Sequence, residues 1–399
     1  MVDETFVMPT YARFPVTLVS GSGSLVWDDQ GAEYLDFTGG LGALALGHAH
    51  PAWVAAVTKA AGEVGLVSNL YVTTPQAELA ERLAGVLPIP DARVFFCNSG
   101  AEATEALLKL VRKWGLPRGK PAILSMEGSF HGRTIGALAA TGQPSKRAAF
   151  EPLVDWFRFV PPEDLGALEH ALAPGDAAAV LVEPVMGESG VHPLSREYLR
   201  GVRVLCDANQ ALFAVDEVQS GMGRCGRWLA VEDAEVVPDV VSLAKALGGG
   251  FPIGALVSRA DLAFGPGDHA STFGGGPLAA TVALAVIDTI EREGLLAHAI
   301  ELGAYLPVAV LSAAPEGSIV VARGRGCLWG FELADGVDAG AVANAMLGIG
   351  VLCSTAGTGV IRMSPPLTAS ISECDRAAHG LALALAAVRG SAAAQQVSA

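Results

Sequence analysis

The sequence predicts an α/β protein whose mostly parallel sheet is covered by helices on both faces, and three observations support this. Short apolar runs alternate with helical segments between about residues 75 and 290, a pattern typical of parallel sheets. The chain has 399 residues, which is enough for two or three domains. Hydrophobic residues make up 51% and charged residues only 17%, so the chain can bury a large core and is not a disordered polypeptide.

The predicted elements follow in chain order. The first 45 or so residues contain short strand-like pieces separated by turn signals such as Gly21-Ser22-Gly23. Uninterrupted apolar runs that are too short for a helix predict buried strands. These strands are expected at residues 94–97, 122–126, 178–182, 212–215 and 240–243. Helices are expected at residues 76–86 and 197–209, and the last 100 or so residues mix helix and strand and predict a smaller domain.

Charge and composition exclude several classes of protein. The chain has 26 basic and 41 acidic residues and a net charge of −15, which disfavours a nucleic-acid binder. No uncharged apolar run reaches about 18 residues, so no membrane span is expected. Asp3 and Glu4 stand near the N-terminus, where a secretory signal has basic residues, so a secretory signal is not expected. The six cysteines are scattered without a C-x-x-C pair, which favours a reduced, cytoplasmic protein.

The segment CNSGAE at residues 97–102 follows a predicted strand and opens a predicted helix. Ser99 and Glu102 have the S-x-x-E spacing of a capping box, and the apolar positions that follow repeat on one helical face. Gly100 and Ala101 are small, so a phosphate could approach the N–H groups of this helix N-terminus. The helix dipole contributes at most about 2 kcal/mol. An anion would therefore need further donors, and an ordinary capped helix remains the alternative.

Two further motifs place a charged residue beside an apolar run. The strand predicted at 212–215 ends in Asp216 and Glu217. A carboxylate there costs desolvation energy unless it is paired, so it could bind a ligand cation or metal, or form a loop salt bridge. Lys245 is the one lysine of the glycine-rich apolar stretch 241–254. Apolar surroundings lower the pKa of a lysine and suit Schiff-base chemistry, while an ordinary surface lysine is the alternative.

The segment SFHGRT at residues 129–134 places an aromatic ring, an imidazole and a guanidinium close together. Phe130 could stack on a flat ring and Arg133 could bind a carboxylate in bidentate fashion. A polar loop without function is the alternative. No metal site is expected, because His48 and His50 have no carboxylate or cysteine near them in the sequence.

Each motif has an ordinary structural explanation when taken alone, but their combination and order resemble the class III pyridoxal-phosphate-dependent aminotransferases of fold type I. The closest resemblance is to the acetylornithine/ornithine aminotransferase branch, and it covers residues 35–367. The matching segments are SNLY at 68–71, FFCNSGAEA at 95–103, SFHGRT at 129–134, EPVMGESGV at 183–191, DEVQSGMGRCG at 216–226, LAKALGGGFPIGA at 243–255, STFGGGP at 271–277 and IRMSPPL at 361–367.

The resemblance implies a division into domains and an assembly. Residues 46–290 would form a large cofactor-binding domain around the mostly parallel sheet. Residues 291–399 would form a smaller α+β domain, which the N-terminal segment 1–45 joins. Two such chains would form a homodimer with shared active sites, and an extensive interface would hide apolar surface.

The resemblance also implies which residues bind the cofactor. Lys245 would bond covalently to the aldehyde of pyridoxal 5'-phosphate and then move the proton between substrate and cofactor. Asp216 would face the pyridine nitrogen and keep it protonated, so that the ring can accept electrons. The other expected contacts are Phe130 and Val218 on the ring faces, Gln219 at the ring hydroxyl, and Gly100, Ala101 and Thr272 at the phosphate, with Thr272 coming from the partner subunit.

The residues that would contact the substrate are also implied by the resemblance. Arg133 would bind the α-carboxylate and so orient the proton that Lys245 removes. Glu188 and Arg362 would form a pair that masks a second carboxylate site when closed and admits a dicarboxylate when open. Ser271 is expected to touch the substrate.

The implied reaction moves the distal amino group of N-acetylornithine, or of ornithine, to 2-oxoglutarate and gives a semialdehyde and glutamate. One alternative is another class III ω-aminotransferase with 4-aminobutyrate, lysine or a diamine as donor. A second is an isomerase of the glutamate-semialdehyde aminomutase type. Gly276 and Cys327 depart from the commonest pattern, which leaves the identity of the donor open. A nicotinamide dehydrogenase is disfavoured because G-x-G-x-x-G is absent after an early strand.

Overall fold

The computed structural model describes residues 5–397, with side chains described for residues 5–390. The strands are β1 (Leu18–Ser22), β2 (Leu25–Asp28), β3 (Glu33–Asp36), β4 (Arg93–Cys97), β5 (Ala122–Met126), β6 (Phe157–Val160), β7 (Ala177–Val182), β8 (Val185–Met186), β9 (His192–Pro193), β10 (Leu212–Asp216), β11 (Val240–Leu243), β12 (Gly254–Ser258), β13 (Ile319–Arg325), β14 (Leu328–Leu333), β15 (Val351–Leu352), β16 (Ser354–Ala356) and β17 (Val360–Met363). The α-helices are α1 (Gly39–Gly42), α2 (Pro51–Ala61), α3 (Thr74–Val86), α4 (Gly100–Gly115), α5 (Ile135–Ala140), α6 (Pro144–Arg147), α7 (Leu165–Leu172), α8 (Arg196–Ala208), α9 (Pro277–Arg292), α10 (Leu295–Ala313), α11 (Ala339–Gly348) and α12 (Ile371–Val397).

Seven strands form the central sheet, in the order β4-β12-β11-β10-β7-β5-β6. Neighbouring strands pair in parallel from β11 to β6. Strand β12 runs antiparallel to both of its neighbours, β11 and β4. The other six strands therefore point the same way, and their carboxyl ends share one edge. The predicted mostly parallel sheet is confirmed.

Helices cover both faces of this sheet because its inner strands are apolar on both sides. Every residue of β7, β10, β11 and β12 is buried. On one face Leu181 of β7 packs in a cluster with Leu107 of α4. On the other face the adjacent residue Val180 belongs to a larger cluster with Leu199 of α8. Successive residues of one strand thus serve two separate cores.

The strand and helix predictions for this region are confirmed, with boundaries that agree within two residues. The strands predicted at 122–126 and 240–243 coincide with β5 and β11, and the helix predicted at 76–86 is α3. Strands β6 and β12 were not predicted. Strand β12 begins at Gly254, the last residue of the glycine-rich stretch 241–254. Its apolar pattern does not reveal that it runs antiparallel.

Two smaller sheets contain the strands from both ends of the chain. In the sheet β1-β2-β3-β15, Leu35 pairs in parallel with Val351. The sheet β13-β14-β17-β16 packs near α10, which in turn packs on α12.

Within residues 5–397, α10 is the one helix long and apolar enough to cross a membrane. Its Leu302, Leu306 and Val310 are buried against the rest of the protein.

The carboxyl edge of the central sheet brings the predicted motifs together. Strand β10 ends at Asp216, and Lys245 lies two residues beyond the end of β11. Strand β5 leads into the segment 129–134, and β7 leads into Glu183. Ligands of open α/β sheets bind at this edge, so the fold itself indicates where a site lies.

Candidate active site

A cavity of about 570 Å³ opens at the carboxyl edge of the central sheet. All the predicted site residues line it except Ser271, Thr272 and Arg362. The complete lining is Tyr11, Ala43, Asn98, Ser99, Gly100, Ala101, Phe130, His131, Gly132, Arg133, Glu183, Glu188, Asp216, Val218, Gln219, Ala244, Lys245, Gly250, Phe251, Pro252 and Ile253.

Lys245 lies in a tight turn after β11, and its side chain faces the cavity. Its φ of 42° is in the left-handed region, which costs a non-glycine residue about 1–3 kcal/mol. Desolvation lowers the pKa of Lys245 to about 8, although the nearby carboxylate of Glu188 opposes this shift. A lysine with a lowered pKa is a better nucleophile near neutral pH.

Asp216 ends β10 and forms a buried pair with His131. Asp216 Oδ2 lies 2.8 Å from His131 Nδ1, and Asp216 Oδ1 accepts a hydrogen bond of 3.0 Å from the Val218 N–H. Burial disfavours the imidazolium form, but the hydrogen bond to Asp216 and its charge prevail and raise the pKa of His131. Both oxygens of the carboxylate are thus held in fixed directions at the cavity wall.

Glu183 follows β7 and supports the loop that contains Phe130. Its Oε1 accepts a hydrogen bond of 2.7 Å from the Phe130 N–H. Burial, together with the like charge of Asp216, raises the pKa of Glu183 to about 7. The contact fixes the backbone that presents the aromatic ring to the cavity.

The N-terminus of α4 borders the cavity. Ser99 Oγ accepts a hydrogen bond of 3.2 Å from the Glu102 N–H, and Glu102 Oε2 accepts one of 2.6 Å from the Asn98 N–H. The cap therefore resembles a capping box in which the glutamate reaches one residue further back. The first N–H groups of a helix lack intrahelical partners, and Gly100 and Ala101 line the cavity at this point. This arrangement suits a phosphate.

Phe130, Val218 and Gln219 line the cavity beside Lys245. The Gln219 side chain is buried, and its Oε1 has no hydrogen-bond partner in the described part of the chain. A buried polar atom without a partner costs about 1–3 kcal/mol, so this oxygen is suited to accept a hydrogen bond from a ligand. Together these side chains fit a flat ligand that has a hydroxyl group.

Arg362 lies behind Glu188 and is only 2% exposed. Its Nη1 donates to Glu188 Oε1 at 2.6 Å and to the Gly187 carbonyl at 3.0 Å, and its Nε donates to Ser354 Oγ at 3.1 Å. Burial favours the neutral form of Glu188, but the charge of Arg362 prevails and lowers the pKa of Glu188. The carboxylate therefore stands between the cavity and a fixed guanidinium.

Arg133 is exposed and lines the same cavity next to Phe130. Its Cζ lies 5.6 Å from the centroid of the Phe130 ring. The site therefore has one open guanidinium and a second, that of Arg362, which Glu188 covers. Two guanidinium groups fit a ligand with two carboxylates once Glu188 moves aside.

Ser271 and Thr272 lie at a second cavity of about 760 Å³. Ser271 Oγ accepts hydrogen bonds from Asn98 Nδ2 at 3.3 Å and from the Gly274 N–H at 3.0 Å. Thr272 is exposed and does not line the first cavity. Within one chain the structure does not bring Thr272 to the first cavity, so its expected contact with a phosphate stays a prediction.

Tyr11 and Asn98 are among the lining residues to which sequence reasoning gave no role. Asn98 could have been found, because it directly precedes the cap residue Ser99. Tyr11 lies in the N-terminal segment, remote in sequence from the other lining residues, and no motif surrounds it. Among residues 5–397, no group of three or more His, Cys, Asp or Glu side chains could hold a metal ion.

The chain is similar over nearly its whole length to known proteins. The family model for aminotransferase class-III matches residues 6–385. The acetylornithine aminotransferase of Methanopyrus kandleri is 47% identical over 389 residues, which cover 97% of this chain and 98% of that protein. The acetylornithine aminotransferase of Thermosynechococcus vestitus is 46% identical over 396 residues, which cover 96% of each chain.

Solved structures show the same similarity. The ornithine aminotransferase of Toxoplasma gondii superposes with a TM-score of 0.92 at 33% identity and covers 98% of this chain and 93% of that chain. The N-acetylornithine aminotransferase of Stenotrophomonas maltophilia superposes with a TM-score of 0.84 at 37% identity, with coverages of 96% and 98%.

Proposed function

We propose a specific reaction for this chain, which belongs to the class III aminotransferases. It transfers the distal amino group of N-acetylornithine or ornithine to 2-oxoglutarate. The products would be a semialdehyde and glutamate. The observation that supports this best is one cavity that contains Lys245, the Asp216–His131 pair and an arginine. N-acetylornithine is the preferred donor, because the curated relatives described above are acetylornithine aminotransferases at 46% and 47% identity.

The residues of the cavity fit pyridoxal 5'-phosphate. Gln219 Oε1 lacks a partner among the described residues and could accept a hydrogen bond from the ring hydroxyl. The N-terminus of α4 could bind the phosphate through Gly100 and Ala101. When bound, this cofactor bonds to a lysine amine and withdraws electrons from the substrate carbon that loses its proton.

Lys245 is the proposed carrier of that proton. Because its pKa is about 8, the Lys245 amine is neutral in a fraction of the molecules near neutral pH. In these molecules Nζ can accept a proton and return it. Asp216 would keep a proton on the ring nitrogen of the cofactor, because an adjacent carboxylate stabilises a cation. His131 would hold Asp216 in the direction this requires.

The two guanidinium groups suit the two halves of the reaction. A donor that reacts at its distal amine has its α-carboxylate at the other end, where the exposed Arg133 could bind it. The acceptor 2-oxoglutarate has two carboxylates and would need Arg362 as well. Glu188 would therefore cover Arg362 for the donor and move aside for the acceptor.

We also propose a homodimer with shared sites. Phe273 is 61% exposed and Leu70 is 90% exposed. Asn69 Nδ2 donates to the Ser271 carbonyl at 2.9 Å, which joins the two segments into one surface that includes Thr272. Large apolar side chains exposed together indicate an interface, and a partner seated here would bring its Thr272 to the phosphate.

A donor panel tests the proposed function. Glutamate formation from 2-oxoglutarate would be measured with N-acetylornithine, ornithine, 4-aminobutyrate and lysine as donors. We expect the highest kcat/KM for N-acetylornithine, followed by ornithine. If neither ornithine compound yields glutamate, or if 4-aminobutyrate is preferred, the proposed donor class is wrong.

The variant Arg133→Lys tests the role of Arg133 in the same assay. Lysine keeps the charge but cannot bind a carboxylate in bidentate fashion. We expect kcat/KM for N-acetylornithine to fall about tenfold or more, mainly through KM. An unchanged kcat/KM would remove Arg133 from the proposed site.

A further inference from the structure

The carboxylate of Glu188 forms ion pairs with two cations, Arg362 and Lys146, and the charge of Lys245 also lowers its pKa. Glu188 Oε1 accepts the hydrogen bond of 2.6 Å from Arg362. Glu188 Oε2 lies 3.8 Å from Lys146 Nζ. The two oxygens thus face different partners, and only the partner at Oε1 is at hydrogen-bond distance.

Lys146 belongs to α6, a short helix that is tied to the loop of the candidate site. Gln143 Nε2, just before α6, donates to the Gly128 carbonyl at 3.0 Å. Lys146 Nζ lies 4.6 Å from the centroid of the Phe130 ring, and its side chain is 21% exposed. Burial and the positive charges of Arg133 and Arg362 lower the pKa of Lys146, against the attraction of Glu188.

Displacing Glu188 from Arg362 has an energetic consequence. A partly buried carboxylate that loses its cation is destabilised, because its desolvation is no longer compensated. Arg362 would stay in place, because Ser354 Oγ and the Gly187 carbonyl also accept its hydrogen bonds. Lys245, whose charge also acts on Glu188, is bonded to the cofactor in the proposed function. The open state therefore needs another cation for Glu188, close enough to be reached by rotation of one side chain.

We propose that Lys146 is this second cation: it binds Glu188 when Glu188 moves aside and Arg362 binds the second carboxylate of a dicarboxylate substrate. Lys146 is then a positioning residue that favours the acceptor, and it acts through Glu188. This inference rests on the proposed function, because it presupposes an acceptor with two carboxylates.

Direct contact between Lys146 and the substrate is the competing explanation. Lys146 does not line the cavity, whereas Glu188 and Arg133 do. The Lys146 side chain reaches Glu188 from beside the Phe130 ring. The arrangement therefore favours an action through Glu188 over a contact with the ligand.

Binding of glutarate, an unreactive dicarboxylate, tests the proposal in protein loaded with pyridoxal 5'-phosphate. Calorimetry would give the Kd of glutarate and of the monocarboxylate valerate for the wild type and Lys146→Met. We expect the Kd of glutarate to rise about tenfold in the variant, as for the loss of a partly buried ion pair. The Kd of valerate should not change. An unchanged Kd of glutarate, or an equal rise for valerate, overturns the proposal.

Two further variants separate the explanations. Lys146→Arg keeps the charge and should restore the Kd of glutarate to within about threefold of the wild type. In a Glu188→Gln background the carboxylate is gone, so Lys146→Met should change that Kd less than twofold. A full tenfold effect in that background would mean direct contact with glutarate and would overturn the proposal. The double-mutant cycle isolates the coupling between the two residues.

Lys113→Met is the matched control. Lys113 also forms an ion pair with a carboxylate, that of Asp268, but it does not line the candidate site. The Lys113→Met variant should leave the Kd of glutarate unchanged. If the wild type binds no glutarate and forms no glutamate, the proposed function fails and takes this inference with it. If the wild type does both and Lys146→Met binds glutarate as well as the wild type, only the inference fails.

Discussion

Lys245 has carboxylates around it and yet a lowered pKa. The charges of Glu188, Asp216 and Glu183 favour the ammonium form, but desolvation outweighs them and brings the pKa of Lys245 to about 8. An ordinary lysine has a pKa of about 10.4. The neutral amine, which is the nucleophile, therefore reaches a given fraction at a pH about two units lower than in an ordinary lysine.

Covalent uptake of pyridoxal 5'-phosphate by the cofactor-free protein should depend on pH accordingly. Because the neutral amine reacts, the uptake rate should rise with pH and reach half of its plateau near pH 8. Stopped-flow absorbance over pH 6–11 measures this rate, and free lysine serves as the reference for an unshifted amine. A midpoint above about pH 10 would mean that the site does not desolvate Lys245.

Individual residues differ in how far the sequence could identify them. Lys245 and Asp216 stand directly beside strands, in motifs with a recognisable pattern, and both line the cavity. Tyr11 and Lys146 have no such motif. Tyr11 joins the cavity through tertiary folding alone, and Lys146 meets Glu188 across 42 positions of the chain, a contact that no local spacing indicates.

Helix α4 depends on a close approach at its first residue. A Cβ added to Gly100 would lie 2.5 Å from Val218 Cγ1. Gly100→Ala should therefore displace Val218 or the start of the helix, at a cost of about 1–3 kcal/mol. Because both border the proposed cofactor site, we expect the Kd of pyridoxal 5'-phosphate to rise about tenfold or more, as measured by fluorescence titration.

Gly85 in α3 provides the control for this substitution. It is exposed, and a Cβ added there would meet no atom within 4 Å. Gly85→Ala should raise the free energy of unfolding by up to about 0.5–1 kcal/mol, because alanine is favoured in a helix. Its cofactor affinity should be unchanged. Equal cofactor affinities in the two variants would contradict the role given to Gly100.

At the scale of elements, apolar patterns predicted strands well but not their directions. The five predicted strands of the central sheet are present within one residue of the expected bounds. The direction of β12 depends on its pairing with β4 and β11. That pairing is a tertiary contact, and a five-residue apolar run is compatible with either direction.

At the scale of the whole molecule, the proposed contact between Thr272 and the cofactor phosphate depends on the assembly. Thr272 is exposed at the second cavity and does not line the first, which agrees with the proposed contact between subunits. Mixing two inactive variants tests this. Lys245→Ala removes the amine of one site, and Thr272→Asp should repel the phosphate bound by the partner.

Refolding these variants together in equal amounts should restore about a quarter of the wild-type activity. Half of the dimers would be mixed, and each mixed dimer would have one intact site of two. Each variant refolded alone serves as the baseline. If the mixture is no more active than the two variants alone, Thr272 does not act on a partner subunit.

The pairing of distant segments is the part of the architecture that local patterns could not specify. Strand β3 near the start of the chain pairs with β15 near its end. Both strands are short, of four and two residues, and such pieces leave almost no periodic signal. The division into domains, by contrast, was implied by the resemblance to a known family.

The central claim is that Lys245 bonds to the cofactor in a transaminating site. Borohydride reduction of the purified protein loaded with pyridoxal 5'-phosphate, followed by peptide mass mapping, tests it most directly. We predict one pyridoxyl group, on Lys245. In a second sample, to which N-acetylornithine is added before reduction, Lys245 should carry no pyridoxyl group. A pyridoxyl group on another lysine such as Lys120, or none at all, would contradict the claim.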